Sequence, residues 1–371
     1  MNIRQVLRFP LVLTTLGLLA GNYQDNKKPE ECAPLCYAGP TPDCENNFDF
    51  MAGAIYEQVN VQGAEIASLA DRSSAQYPSN SSLVQQVETP AWGFKVGLGY
   101  KDWSDSWRTY ANYKWFKAIS NSTYQSSYGQ IYLPTAYANQ YIDNLQAVNT
   151  LGFQNLQAGN YVLLQSAQFY LGRPSLITKN IELTTSYGVT GTWFIRRQVA
   201  VFQNDFNPST GASNVSYQSS VGAFFHNYQK YVFWGVGPIV SLHSVYYFGG
   251  SIGIYADAYA GVTYGVSDVR TATFARRSIQ LATSSPALFA PIEATLSNKL
   301  FQFSPEYNFE LGFIYSQSFF EESVRGSFMI GYETSYYQQT IKTITPDIAY
   351  RVENSAGLGL QGLVIEGKID F

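Results

Sequence analysis

IELTTSYGVTGTWFIR, residues 181–196, alternates between two kinds of side chain over sixteen positions. Ile181, Leu183, Tyr187, Val189, Trp193 and Ile195 fall on one side, and Glu182, Thr184, Ser186, Thr190, Thr192, Phe194 and Arg196 on the other. A period of two is that of a β-strand, whose successive side chains point to opposite faces. Strands in soluble proteins are usually about 5–6 residues long, whereas a tilted strand needs about 9–11 residues to cross the hydrocarbon of a bilayer. The length of the alternation predicts a membrane-crossing strand with its apolar face toward lipid and its polar face toward a wet lumen.

The same pattern recurs along the chain. AWGFKVGLGY (91–100) sets Trp92, Phe94, Val96, Leu98 and Tyr100 against Gly93, Lys95, Gly97 and Gly99, and WRTYANYKW (107–115) sets Trp107, Tyr113 and Trp115 against Arg108, Tyr110 and Lys114. In FQFSPEYNFELGFIY (301–315) the polar side carries Glu306 and Glu310, and in VRGSFMIGYETSY (324–336) it carries Arg325 and Glu333. Less regular strands fall near 48–58, 161–172 and 229–247, and a last one runs from about 357 to Phe371. Short turns are expected near 101–105, 173–180, 247–250 and 317–322, and long Asn-, Ser- and Gln-rich loops near 60–89, 118–159, 198–228, 270–299 and 340–356.

Gaps that alternate short and long are the mark of an outer-membrane barrel, with short periplasmic turns and long extracellular loops. The expected fold is therefore all-β: a transmembrane antiparallel up-and-down β-barrel of about ten strands. Strand-like pieces in the loops (YGQIYLPTAYA, NVSYQSS) leave counts up to fourteen open. The expected lumen-facing charges are Arg108, Lys114, Glu182, Arg196, Glu306, Glu310, Arg325 and Glu333. Glu306 and Glu310 lie four residues apart on one face, about 13 Å, too far for a catalytic carboxylate pair; Arg325 on the following strand is their expected cross-strand partner.

Composition agrees. Of the 371 residues only 13% are charged, against about 25% in soluble domains, while aromatics reach 16%, with 29 Tyr and 24 Phe. Aromatic girdles at both membrane interfaces use such residues. The balance of 23 Lys plus Arg against 27 Asp plus Glu leaves no footprint for nucleic acid. Past the N-terminus no apolar run is long enough for a membrane helix. His226 and His243 are the two histidines and form no evident metal or catalytic pair, so neither a cofactor nor an enzymatic activity is expected. GLGLQG (357–362) fits a nucleotide-loop pattern, but it sits within the last strand with no helix after it.

Arg4 and Arg8 precede an apolar segment from Phe9 to Ala20, which reads as a signal peptide over residues 1–21. Residues 22–46 form a Cys- and Pro-rich segment expected in the periplasm, and residues 47–371 the barrel. Cys32, Cys36 and Cys44 cluster in CAPLCYAGPTPDC, and an exported chain meets an oxidising compartment, so disulfides are expected. The chain ends GLVIEGKIDF, with Ile365, Ile369 and Phe371 on one face; that ending resembles the C-terminal signal read by the barrel assembly machinery.

AWGFKVGLGYKDWSDSWRTYANYKWF, FYLGRPSLITKNIELTTSYGVTGTWF, FWGVGP, GYE (331–333) and LQGLVIEGKIDF, taken in order, resemble the pore-forming major outer membrane protein-like family of Legionella and chlamydia-related bacteria. The resemblance implies an outer-membrane porin without cofactor, in which Gly172, Arg173, Trp193, Trp234, Gly235 and Gly237 are structural. The expected function is passive diffusion of small hydrophilic solutes or ions. The alternatives are a structural or adhesive surface barrel acting through its loops and, further off, an outer-membrane enzyme. Expected partners are outer-membrane lipid, the assembly machinery and a disulfide-linked or homo-oligomeric chain.

Three cysteines cannot all pair within one chain. Cys32 and Cys36 can meet in a turn around Pro34, leaving one thiol for another chain. Native envelopes run on non-reducing gels should show oligomers that collapse with reductant and disappear when all three cysteines are changed to serine; an unchanged pattern in that variant rules out the cross-link.

Overall fold

The computed structural model describes residues 48–61, 65–71, 81–86, 88–102, 107–126, 130–134, 153–178, 180–203, 224–276, 278–279, 287–288, 292–319, 324–346 and 351–371. The signal segment and Cys32, Cys36 and Cys44 lie outside the described residues.

In chain order the strands are β1 (Phe48–Val61), β2 (Glu65–Asp71), β3 (Ser81–Gln85), β4 (Ala91–Asp102), β5 (Trp107–Gln125), β6 (Gln130–Pro134), β7 (Asn155–Thr178), β8 (Ile181–Gln203), β9 (Phe224–Gly249), β10 (Ile252–Arg276), β11 (Ser278–Ile279), β12 (Ala287–Leu288), β13 (Ile292–Phe319), β14 (Val324–Pro346) and β15 (Arg351–Asp370). Ten of them close a barrel in the order β1-β15-β14-β13-β10-β9-β8-β7-β5-β4. Every pairing is antiparallel, and the seam between first and last strands runs from Asp49 opposite Asp370 to Val61 opposite Leu358. Closure removes the edges that hydrocarbon could not satisfy. Phe48 and Phe371 complete the seam by exchanging backbone hydrogen bonds of 3.0 and 2.9 Å.

The alternation read at 181–196 is realised: Thr190, Thr192, Phe194 and Arg196 are buried inside the barrel, while Tyr187, Val189 and Trp193 are exposed on its outer wall. GLGLQG lies within β15.

Two expectations change. The turns are tighter than the sequence suggests: β7 runs to Thr178 and β8 begins at Ile181, so most of 173–180 is strand. The strands also run deep into the segments read as loops, with β5 ending at Gln125, β10 at Arg276 and β14 at Pro346. Beyond the membrane both faces of a strand are wet, so the apolar alternation fades although the backbone ladder continues. At the β9–β10 turn Gly249 and Gly250 have φ of 128° and 69°, conformations that a residue with a Cβ rarely adopts.

Of the strand-like YGQIYLP, Gln130–Pro134 belongs to no barrel strand. Its β6 joins β2 and β3 in a separate three-stranded sheet, which packs Ile66, Ala67 and Tyr132 onto Leu156, Ala158, Ala200, Phe202 and Phe225 of β7, β8 and β9. These wall residues share the inward parity of their strands, so the small sheet covers the inner face at the long-loop end. The other such piece, NVSYQSS, lies outside the described residues.

Candidate functional site: a charged lumen under an apolar layer

Inside the barrel the side chains form layers, beginning at the short-turn end, which is periplasmic in barrels of this kind. A cavity of about 210 Å³ opens there, lined among others by Arg108, Glu182, His243, Asp257, Arg325 and Asp370. Arg108 donates two hydrogen bonds to Asp49, at 2.7 and 3.0 Å. Lys368 pairs with Asp370 at 2.6 Å, and Arg325 donates to the Tyr247 hydroxyl and covers its ring. His243 Nδ1 and Asp257 Oδ1, opposite one another on β9 and β10, are 2.5 Å apart.

Deeper in, two lysines meet four glutamates. Lys95 lies 2.8 Å from Glu310, 2.7 Å from Glu333 and 3.3 Å from Glu366, and Lys114 lies 2.7 Å from Glu57 and 3.0 Å from Glu333. The Tyr255 hydroxyl donates to Glu310 at 2.6 Å, and Asn308 Nδ2 donates to Glu333 at 2.5 Å. Lys95 stands on β4 and Glu310 on β13, with β1, β15 and β14 between them in the barrel order, so the pair reaches across the lumen rather than along the wall. All six charged groups are buried.

Immediately toward the long-loop end the lining turns apolar. Phe116, Leu164, Phe194 and Phe233 stand opposite one another on β5, β7, β8 and β9, each wholly buried. Ile55 and Val364 continue the layer across the seam. Burial of such side chains contributes about 1.5–3 kcal/mol each relative to exposure to water, so the layer is a packed core inside the barrel.

The eight expected lumen charges all point inward, and all but Glu306 and Arg196 share one cavity. Lys114, Glu310 and Glu333 stand in the central cluster at its inner end, and Arg108, Glu182 and Arg325 toward the short-turn end. Glu306 stands apart, accepting a hydrogen bond from the Thr192 hydroxyl at 2.5 Å. Arg196 lies toward the loop end and donates to Asn160 and Gln198 at 3.3 and 3.0 Å. The expected pairing of Arg325 with Glu306 or Glu310 is not made. The hairpin register places Arg325 opposite Ser318, Glu333 opposite Glu310 and Tyr337 opposite Glu306, which carries Arg325 to the turn end. The lumen is also packed rather than wet at this depth: Glu306 is 0% and Glu310 3% exposed.

Lys95, Glu57 and Glu366 complete the cluster without having been singled out as lumen charges. Lys95 did fall on the glycine side of AWGFKVGLGY, and Glu366 alternates with Ile365 and Gly367 in the final strand; Glu57 sits in a stretch whose alternation is too irregular to assign. Ile369 and Phe371, by contrast, are exposed on the outer wall, and Ile365 is half-buried on the same face.

A buried charge left without its partner is strongly destabilising. Changing Lys95 to Met should therefore lower the unfolding free energy by about 3–5 kcal/mol, because Glu310, Glu333 and Glu366 lose a shared counterion. Glu57→Gln should cost distinctly less, since it removes one of an excess of carboxylates. Denaturant titration in detergent micelles measures both, and equal losses would contradict the assignment.

No curated relative matches the chain. Among solved structures it is similar to the P. putida toluene transporter TodX, at 10% identity over 90% of this chain and 92% of that one, with a TM-score of 0.29. It is also similar to a Pseudomonas aeruginosa FadL homologue, at 8% identity over 88% and 90% of the two chains, with a TM-score of 0.26. A loop-deletion mutant of OmpT, an outer membrane protein of Vibrio cholerae, matches at 9% identity over 88% and 99%, with a TM-score of 0.17. Likeness at this level says nothing of substrate. The family profile described as Legionella pneumophila major outer membrane protein precursor matches residues 40–371. The chain belongs to that family, and is a β-barrel protein of the bacterial outer membrane.

Proposed function

We propose that this protein is a narrow, non-enzymatic porin-like channel for small hydrophilic solutes or ions, held closed at rest by the Lys95–Lys114–glutamate cluster and the apolar layer above it. The cluster carries the reading. Replacing buried ion pairs by apolar side chains of similar volume is often neutral or stabilising, so stability alone gives no reason to place six charges in the middle of the barrel. Ionisable groups at membrane depth more often mark a path for water, ions or solutes. The cavity that runs from the short-turn end to the cluster supplies the first part of such a path, and Arg108, Glu182, His243 and Asp257 share its lining with apolar residues such as Met51, Val245 and Ile314.

A ten-stranded barrel is narrow. Eight strands leave room mainly for side chains, and sixteen leave a channel, so passage here requires side chains to move. Lys95 has three carboxylates within reach and Lys114 two, and exchange between them would open the centre while each cation keeps a partner. A second reading, a structural or adhesive surface barrel acting through its loops, is favoured by the apolar layer and by the small sheet over it.

Planar-bilayer recordings of the purified, folded protein separate the two. The channel reading expects small, infrequent openings in the native protein and larger or more frequent ones in Phe194→Ala/Phe233→Ala, which thins the layer. Silence from both proteins, each shown to be folded by heat-modifiable gel mobility, would contradict the channel and leave the surface barrel.

A further inference from the structure

The outer wall is asymmetric. At the short-turn edge aromatic side chains predominate, with Phe48, Tyr100, Phe248, Tyr315 and Phe319 all exposed and Arg173 an isolated outward cation. At the long-loop edge of the wall from β5 to β13 the apolar band gives way to basic residues. The outward series Val236, Trp234, Val232 on β9 is followed by Lys230; Val262, Tyr264, Val266 on β10 by Asp268 and Arg270; Phe303 and Phe301 on β13 by Lys299; and Trp193 and Ile195 on β8 by Arg197.

Strand register brings these residues together. Arg197 stands directly opposite Lys230, and Lys230 directly opposite Arg270. Tyr161 is opposite Arg197 on the other side, and its ring is covered by the Arg197 guanidinium at 5.4 Å and the Lys117 ammonium at 5.6 Å. Lys299 on β13 is opposite Asp268 on β10. Asp268 pairs with Arg270 at 2.9 Å, and Glu293, opposite Phe274, lies four residues beyond Arg270 toward the loops. Among the described residues five cations thus face two carboxylates along this edge.

Like charges directly opposite on neighbouring strands are destabilising, so three cations in one register row work against the sheet that carries them. They lie on the lipid side of the wall, where the band meets headgroups, and at the loop edge only. That edge faces the outer leaflet, since long loops are extracellular. Arginine and lysine side chains in such a position are suited to phosphate, with charge-assisted bonds from planar guanidinium groups, and the Tyr161 ring holds the Arg197 and Lys117 cations beside the row. From the register row and its place on the wall we infer that Arg197, Lys230 and Arg270, flanked by Lys117, Tyr161 and Lys299, form a binding site for a phosphate-bearing glycolipid of the outer leaflet. Bound phosphates would relieve the repulsion within the row and fix the depth of this wall in the membrane. The inference requires only the outer-membrane location and is independent of whether the lumen conducts.

The test uses the full chain refolded in glycolipid-free detergent, with rough lipopolysaccharide, the same material enzymatically dephosphorylated, phosphatidylglycerol and inorganic phosphate as ligands. The native protein should bind the phosphorylated glycolipid at least about tenfold more tightly than the dephosphorylated form or phosphatidylglycerol, and the triple variant Arg197→Gln/Lys230→Gln/Arg270→Gln should lose at least about tenfold of that affinity. Arg173→Gln, at the opposite edge, should change nothing. Removing like charges should leave the triple variant folded by gel mobility; if it does not fold, Lys230→Gln alone, between the two arginines, should show the same loss in smaller degree. Undiminished binding by a folded variant would overturn the site, as would equal binding of the dephosphorylated glycolipid, of phosphatidylglycerol or of inorganic phosphate alone.

Discussion

Hydrocarbon offers no partner for a backbone N–H or C=O, and the rest of this structure follows from that constraint. A sheet placed in it must close, and closure here comes from pairing β1 with β15, from Asp49 opposite Asp370 to Val61 opposite Leu358. Once ten strands have closed, the interior is narrow, and the side chains of alternate positions must share it. Apolar residues such as Trp193, Trp234 and Phe313 are then free to face lipid, which inverts the usual relation between burial and polarity. The least exposed residues of this protein include Glu57, Glu306 and Glu333, and among its more exposed are tryptophan and phenylalanine.

The interior answers the same constraint in two chemistries. Near the centre, charge is neutralised by charge across the lumen, with Lys95 and Lys114 among four glutamates. Next to it, Phe116, Leu164, Phe194 and Phe233 exclude water as a soluble core would. The two layers are linked through the pleat: Lys114 and Phe116 are successive inward residues of β5. Any movement of Lys114 therefore disturbs the apolar layer, and a wider apolar layer would in turn admit water to the cluster. Coupling of this kind is what the proposed channel would use to be closed at rest and still open.

Much of this was legible in the sequence, and the reason is period two. Residues 181–196 assign both faces of β8 because one face meets lipid and the other does not, so the alternation is chemically sharp. The inward direction of Arg108, Glu310 and Glu333 followed from it. Where a strand leaves the membrane the contrast vanishes, and β5, β10 and β14 consequently run further than their patterns suggest. Register was not legible at all. It depends on which residues a turn brings together, so Arg325 could not be placed opposite Ser318, nor Lys95 near Glu310, from 215 residues away. The apolar layer was missed for a different reason: Phe194 stood visibly on the polar face of its strand, but its significance emerges only when β7 and β9 set Leu164 and Phe233 beside it. The basic row on the outer wall is likewise a product of register, since Arg197, Lys230 and Arg270 are unremarkable one at a time.

The central claim is that charges from well-separated walls meet in the middle of this barrel and hold it closed. A double-mutant cycle on unfolding free energy, with Lys95→Met, Glu310→Gln and the two combined, tests it most directly. Groups in contact show coupling of about 0.5–3 kcal/mol, and the account predicts a favourable value of at least about 1 kcal/mol for this pair. Additive effects of the two substitutions, with no coupling beyond error, would mean that Lys95 and Glu310 do not meet across the lumen and would contradict the account.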